Sequence, residues 1–481
     1  MMKNKNMHQE LKNFLGEELY EKFEGIRPLI ALCSYRIKTY NGYGTFDMMF
    51  NTEEQTALLS VYRRLVYPLV YIKNVFTQKV SDGGVMLSST VYKSGRYGTL
   101  INDIRSQSAV LQTNAATDIT IPSPNGFGEY LKKLFGAGYG KRVMSCHSVS
   151  GDKLRKAVLR WLEFCVVLYN NQQTCLADMQ KADALLSVME SEFKKRVDYA
   201  VKELKKCTPN LYITINQYNL RDMVMISACR ELGIKTKQME HHASRFMHNI
   251  ASTEGIDRFC FVDEICCWSE SEEDFHKNVY KYECFPFTDK PIISTVGNPE
   301  VLYKDALKAT VDNPEAKRVT FMVSGLLNKT SEAEVEKQLS HRNKIFENLK
   351  KLSEKHNVKI LVRYPPGVDK DFKAKEEQKL KEMGFDISPS DRGSLMSDIG
   401  GSNIIVGTIS SVLGVSALMG KQVYQIASEN EKYYITDKNI ISISPEEICN
   451  IDISVQALPL DKNGFMDCAK LLDKSISKVL V

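Results

Sequence analysis

From residue 211 onward short β-type runs alternate with helical stretches, and this rhythm constrains the fold more than any other feature of the chain. The strand-like runs are 211–215, 234–239, FCFV and EICCW within 258–268, 292–296, 319–323, 358–362, 385–387, 403–406 and 423–426. Between them lie helical patterns at 220–232 (with Gly233 at the stop position), 332–355, a charged stretch ending at Met383, 395–399 and 410–419. Strands separated by helices predict parallel sheets covered on both faces. A chain of 481 residues exceeds what one core supports, about 250–300 residues. Two α/β units are therefore expected, 1–297 and 298–481, joined near the turn Gly297-Asn298-Pro299.

The first 130 residues carry a weaker signal, a helical pattern at 53–71 and loops such as KSGRYGTL at 93–100. Between 153 and 206 the apolar spacing is helical: Leu159, Leu162, Val166 and Tyr169, then Leu185, Met189, Phe193, Val197 and Val201. The tail at 467–480 also has helical spacing and is expected to dock back on one of the two units.

Net charge is 64 − 59 = +5, too small and too diffuse for a nucleic-acid partner. The 12 cysteines form no C-x-x-C and no zinc-type spacing, which points to reduced thiols and a cytoplasmic protein. The N-terminal stretch is charged throughout, without the apolar core of a signal peptide. The most apolar helical stretch, 157–169, is broken by Arg160 and Glu163 and is too short to span a bilayer. Peripheral contact at the inner face of a membrane is compatible with all of this.

Two places carry candidate chemistry. Gln238-Met239-Glu240-His241-His242 follows a predicted strand, so these side chains emerge at the carboxyl end of a parallel strand, where α/β sheets hold ligands. A histidine there can serve as a general base, oriented by a neighbouring carboxylate, or can be an ordinary loop residue. A metal set of His241, His242 and His248 fails on geometry. Neighbours on a strand point to opposite faces, and His241 and His248 lack i, i+4 spacing. No metal is expected.

The second place is the set of strand ends in the C-terminal half. Ser324-Gly325 follows the strand at 319–323 and allows close backbone approach to an anion. In VGTISSVL, Thr408, Ser410 and Ser411 fall where a strand gives way to a helix, with Ser410 or Ser411 as N-cap. Helix-start N–H groups suit a phosphate, although serine also caps helices where nothing binds. Arg363, at the end of 358–362 before Pro365-Pro366-Gly367, is placed to reach the same anion. Asp369-Lys370-Asp371 reads as an ordinary helix start among lysines, no P-loop is present, and Gly136-Ala137-Gly138-Tyr139-Gly140 follows no clear strand.

Four segments in order resemble the GT-B glycosyltransferases of bacterial surface polysaccharide synthesis (capsule and lipopolysaccharide). These are KKCTPNLYITINQYNLRDMVMISACRELGIKTKQMEHH, EICCWSES with VGNPEVLY, VRYPPG, and VGTISSVLGVSALMGKQVYQI. The likeness spans roughly 180–430. It includes relatives that transfer Kdo or sialic acid from CMP-sugars and the CDP-glycerol transferases of teichoic acid synthesis.

The resemblance implies two Rossmann-like domains facing each other across a cleft, with the acceptor on the first and the donor nucleotide on the second. It implies His241 as general base beside Glu240, which replaces the family's Gln; His242 stands where the family has glycine, so either histidine can be the base. Ser410 and Ser411 match the pair at the donor phosphate, and Ser324 and Gly325 match the first donor-domain loop. Tyr364 and Pro365 replace the histidine and proline of the Arg-x-His-Pro motif, leaving Arg363 as its polar contact. No carboxylate stands near Gly414-Val415, where many UDP-sugar enzymes hold the ribose, and this favours a CMP-linked donor.

The expected activity is therefore metal-independent, cofactor-free transfer of a sugar from a nucleotide-sugar donor to a glycan or lipid-linked glycan. Rival readings are CDP-alcohol phosphotransfer, a non-catalytic GT-B-like scaffold, and other α/β nucleotide enzymes such as sugar epimerases.

Overall fold

The computed structural model describes residues 7–30, 33, 84–88, 91, 98–107, 110–114, 143–145, 151–171, 176–205, 209–217, 220–240, 257–278, 281–284, 291–311, 318–323, 332–365, 370–389, 394–408, 410–426, 440–454, 460 and 464–472.

Nine described strands precede residue 296: β1 Val85–Leu87, β2 Val110–Asn114, β3 Val143–Ser145, β4 Leu211–Thr214, β5 Lys235–Met239, β6 Asp257–Cys260, β7 Glu264–Cys267, β8 Lys281–Cys284 and β9 Ile292–Thr295. Seven form one parallel sheet in the order β3-β2-β1-β4-β5-β7-β9, and β6 pairs with β8 alone. The β4 and β7 side chains are buried along their whole length, as strands covered on both faces require.

Helices α1 (Met7–Lys22), α2 (Gly98–Gln107), α3 (Gly151–Asn171), α4 (Leu176–Leu204), α5 (Leu220–Glu231) and α6 (Glu270–Asn278) belong to this half. A core built on Trp161, Leu162, Met189, Phe193 and Met225 joins α3, α4 and α5 to one sheet face. The helical spacing expected over 153–206 is divided between α3 and α4. Gly233 stops α5 as expected: its φ is +68°, and the Gly233 and Ile234 N–H groups donate back to the carbonyls of Arg230 and Cys229.

The second sheet comprises β10 Arg318–Met322, β11 Lys359–Arg363, β12 Asp386–Ile387, β13 Ile404–Gly407, β14 Gln422–Ile426 and β15 Ile440–Ile443. It is parallel throughout, in the order β12-β11-β10-β13-β14-β15. Period-two alternation splits its side chains between two cores. Val319, Phe321, Ile404 and Val406 pack with Ile345, Phe346 and Leu349 of α8 (Glu332–His356). On the other face Met322, Ile405 and Val423 pack with Ala306 of α7 (Tyr303–Val311), Ile399 of α10 (Ser394–Gly400) and Leu413 of α11 (Ser411–Leu418). The helix α9 (Lys370–Glu382) completes the set before the C-terminal α12 (Cys468–Leu472). This is the plan of two parallel-sheet α/β units that the strand–helix rhythm predicts.

The chain returns to the first unit at its end. Gly297 has φ +91°, and a Cβ there would lie 2.1 Å from the Phe465 carbonyl oxygen. That close approach lets Asn298 N donate to Gly464 O and Asp467 N donate to Val296 O, each at 2.8 Å. Phe465 stays in the α7 core, whereas Met466, Cys468, Leu471 and Leu472 enter the first unit's second core with Val85, Leu87 and Leu100. The docking expected of 467–480 is made by 466–472; 473–481 lie outside the described residues. Among the described residues no helix is long and apolar enough to cross a membrane.

Candidate functional site

Both sheets reverse strand order once, the first between β1 and β4 and the second between β10 and β13. At such a reversal the connections leave in opposite directions, so a crevice opens at the carboxyl ends of the two strands.

In the second sheet Met322 at the end of β10 pairs with Gly407 at the end of β13. A side chain at 407 would meet Leu413 Cδ2 at 2.9 Å and the Met322 carbonyl at 3.0 Å, so glycine permits this tight strand-to-helix passage. Thr408 follows at the strand end, half-buried. Ser410 has extended backbone (φ −155°, ψ 142°), and its hydroxyl accepts from Val412 N, which makes it the N-cap of α11. Ser411 is the first helical residue. Of the two caps left open by the sequence, Ser410 holds the position. Ser324 and Gly325, which follow β10 in the chain, lie outside the described residues.

Arg363 ends β11 on the other side of β10, paired with Met322. Its guanidinium is buried and turned to protein partners. Nη1 donates to Asp398 Oδ2 at 2.5 Å, Ser394 Oγ at 2.7 Å and Ser388 Oγ at 3.1 Å, while Ser388 Oγ donates to the same carboxylate oxygen at 2.6 Å. Asp398, on α10, was not among the expected site residues. Nothing in its local sequence marks it, because the pairing depends on two strand-ends and a helix meeting. Tyr364 is likewise engaged: its hydroxyl donates to Glu376 Oε2 at 2.8 Å, beside the Arg342–Glu376 ion pair. Burial and the Glu376 charge push that phenol well above its ordinary value.

At the carboxyl end of the first sheet Glu240 is buried at the end of β5. Gln238 Nε2 donates to Glu240 Oε1 at 2.9 Å, and Trp268 Nε1 donates to the Glu240 carbonyl at 2.7 Å. The chain of contacts continues inward, with Gln217 N donating to Gln238 Oε1 at 3.1 Å and Phe261 N to Gln217 Oε1 at 2.6 Å. Glu272 of α6 accepts from Trp268 N at 2.6 Å. One ligand atom each from Glu240, Glu272 and His276 lies within 4.8 Å of the others, and all three residues are buried. Burial, then the charges of Glu272 and Glu240, push the Cys267 thiol well above its ordinary value. His241, His242 and His248 lie outside the described residues.

Sequence reading found Glu240 but missed Glu272 and His276. The i, i+4 spacing of Glu272 and His276 is legible in the sequence. What was not legible is that α6 packs this pair against the end of β5.

A buried ion pair also supports the first sheet from below. Lys237 Nζ lies 3.0 Å from Glu264 Oε2, with Lys235 Nζ at 3.1 Å and Ser294 Oγ donating to Oε1 at 2.7 Å. Burial alone would raise the Glu264 pKa, but Ser294, Lys237 and Lys235 together hold it below its ordinary value.

No protein-family model and no curated protein sequence matches this chain. Solved structures similar to it include the UDP-GlcNAc 2-epimerase from Methanocaldococcus jannaschii, 10% identical, covering 82% of this chain and 97% of that one at a TM-score of 0.42. The UDP-N-acetylglucosamine 2-epimerase from Rickettsia bellii is 12% identical over 82% of this chain and 94% of its own, with a TM-score of 0.39. MurG of Acinetobacter baumannii is 10% identical over 83% and 93%, with a TM-score of 0.36. Likeness at this level carries nothing about substrate, so the functional reading rests on the chain's own geometry.

Proposed function

We propose that the chain is a GT-B-type glycosyltransferase that moves a sugar from a nucleotide-activated donor, a CMP-sugar by preference, to a glycan or lipid-linked glycan acceptor. The observation that carries this reading is the order reversal of the second sheet, where the β13–Gly407–Thr408–Ser410 passage delivers the N-terminus of α11 to the crevice beside β10. A helix N-terminus and a cap hydroxyl are devices for a phosphate. Ser410, Ser411 and the α11 dipole stabilise the departing nucleoside phosphate, with no divalent ion between protein and donor. Ser324 and Gly325, next in the chain after β10, supply further contacts to the donor.

At the first sheet His241 takes the proton from the acceptor hydroxyl as its oxygen attacks the anomeric carbon. The bond from that carbon to the donor phosphate breaks, and the nucleotide leaves with the electron pair. Glu240 and the Trp268 bond to its carbonyl fix the strand end from which His241 departs. Arg363 acts through Asp398, Ser388 and Ser394 as a brace of the donor-side strand ends. The place of action is cytoplasmic, at the inner membrane face when the acceptor is lipid-linked.

The test is incubation of the full chain with CMP-, UDP-, GDP- and CDP-activated donors and a pool of glycan acceptors. Release of CMP together with a glycoside supports the reading, and CMP with a phosphodiester assigns CDP-alcohol phosphotransfer instead. Absence of nucleotide binding at millimolar concentration by calorimetry overturns both in favour of a scaffold.

A further inference from the structure

Glu272 and His276, which the transfer chemistry above does not use, meet Glu240 in the first unit, and the geometry points to a divalent transition-metal site there, for Zn²⁺ or Mn²⁺. The three ligand atoms come from two elements that are distant in the chain. Glu240 directly follows β5, while Glu272 and His276 stand one turn apart on α6, the i, i+4 spacing that turns two side chains to one side of a helix. All three ligand atoms lie within 4.8 Å of one another. Metal–ligand distances of about 2.0–2.1 Å place ligands about 3.3 Å apart in a tetrahedral shell and up to about 4.2 Å apart across an octahedral one. Movements of up to about 0.9 Å at each ligand atom therefore close the set on one ion.

Charge argues the same way. Glu272 and His276 are fully excluded from solvent and Glu240 is 6% exposed. Two carboxylates gathered in a dry pocket cost several kcal/mol per ion unless a cation or proton compensates them. The bonds from Gln238 to Glu240 and from Trp268 N to Glu272 orient both carboxylates. Outer partners of this kind are what hold metal ligands in register. One imidazole with two carboxylates is a mixed, borderline-hard set, which suits Zn²⁺ or Mn²⁺ better than Cu(I) or Ca²⁺. An ion there clamps α6 to the end of β5, immediately before His241. It lies on the opposite sheet from the proposed donor phosphate, so this site stands or falls independently of the transfer reading.

The test is calorimetric titration of the EDTA-dialysed full chain, kept reduced, with ZnCl₂ and MnCl₂ in the absence of any nucleotide. One equivalent of ion is expected to bind wild type. Glu272→Gln and His276→Gln should each weaken binding at least about tenfold. Asp274→Asn, exposed on the same helix, should leave it unchanged. A measurement that needs no variant is the proton spectrum of the Co²⁺-loaded chain, where a hyperfine-shifted imidazole N–H is expected. Failure of wild type to bind either ion below millimolar concentration overturns the site. So does binding that persists in both variants, which would place the ion on cysteines elsewhere.

Discussion

The two sheets share a parallel plan with one order reversal each, yet their carboxyl ends are chemically opposite. The first ends in buried carboxylates and an imidazole, Glu240, Glu272 and His276, and the second in hydroxyls and a helix N-terminus, Thr408, Ser410 and α11. Buried ion pairs touch both sheets, among them Lys237–Glu264 in the first and Arg363–Asp398 in the second. In the first the pair lies away from the carboxyl ends, since Glu264 is the first residue of β7. In the second it occupies them, and so it consumes the arginine that the motif offered to a ligand. A fold that places ligands at strand ends therefore leaves the choice of ligand to a few side chains, and an internal partner can claim one of them first.

Four substitution or pH experiments would break or sharpen this contrast. The largest effect is expected at the acid-rich end: His241→Ala should lower transfer by about 10²–10⁴-fold in a single-turnover assay while leaving nucleotide affinity unchanged, and His242→Ala should do less. A larger loss from His242→Ala would reassign the base.

Next are the two buried pairs. Glu264→Gln and Asp398→Asn each leave a buried cation without its counter-charge, and each should cost about 3–5 kcal/mol in urea denaturation. Replacing both partners of the first pair, Lys237→Met with Glu264→Leu, should recover most of that loss. If Asp398→Asn is nearly neutral while nucleotide affinity rises, Arg363 is available to the donor after all.

Ser410→Gly separates cap from ligand contact. Glycine costs only a few tenths of a kcal/mol at an N-cap, whereas a lost hydrogen bond to a charged phosphate should weaken CMP binding about tenfold or more. Unchanged affinity would remove Ser410 from the donor site.

The smallest effect is in pH dependence. Glu264 has a folded pKa below its ordinary value of 4.5, so its contribution is fully present above pH 4.5 and is lost as pH falls through the folded value. Stability measured between pH 5 and pH 3 should fall more steeply in wild type than in Glu264→Gln.

Much of the scaffold was legible beforehand. Strands β4, β5, β7, β9 to β11, β13 and β14 appeared as short apolar or β-branched runs of the right length, and Gly233 and Ser410 carried the stop and start signals of their helices. Strands β1, β2 and β3 did not, because β1 and β3 are three residues long and β2 is five, with mixed polarity. The short β15 was missed because its flanks gave no helical rhythm. At the candidate site Glu240, Thr408 and Ser410 could be named from local pattern alone. His276 and Asp398 could not, since their significance lies in contacts with β5 and β11.

The sequence by itself determined the α/β class, the two units, the turn at Gly297 and the strand-to-helix passage at 407–411. Periodicity, caps and glycines act over a few residues, so they are written locally. The tertiary structure alone decided the strand orders and hence the two crevices, the return of 466–472 to the first unit, the capture of Arg363 by Asp398, and the meeting of Glu240 with Glu272 and His276. Each of these joins residues tens to hundreds of positions apart, and burial is what turns such a meeting into an ion pair or a ligand set, because charge brought out of water must find a partner.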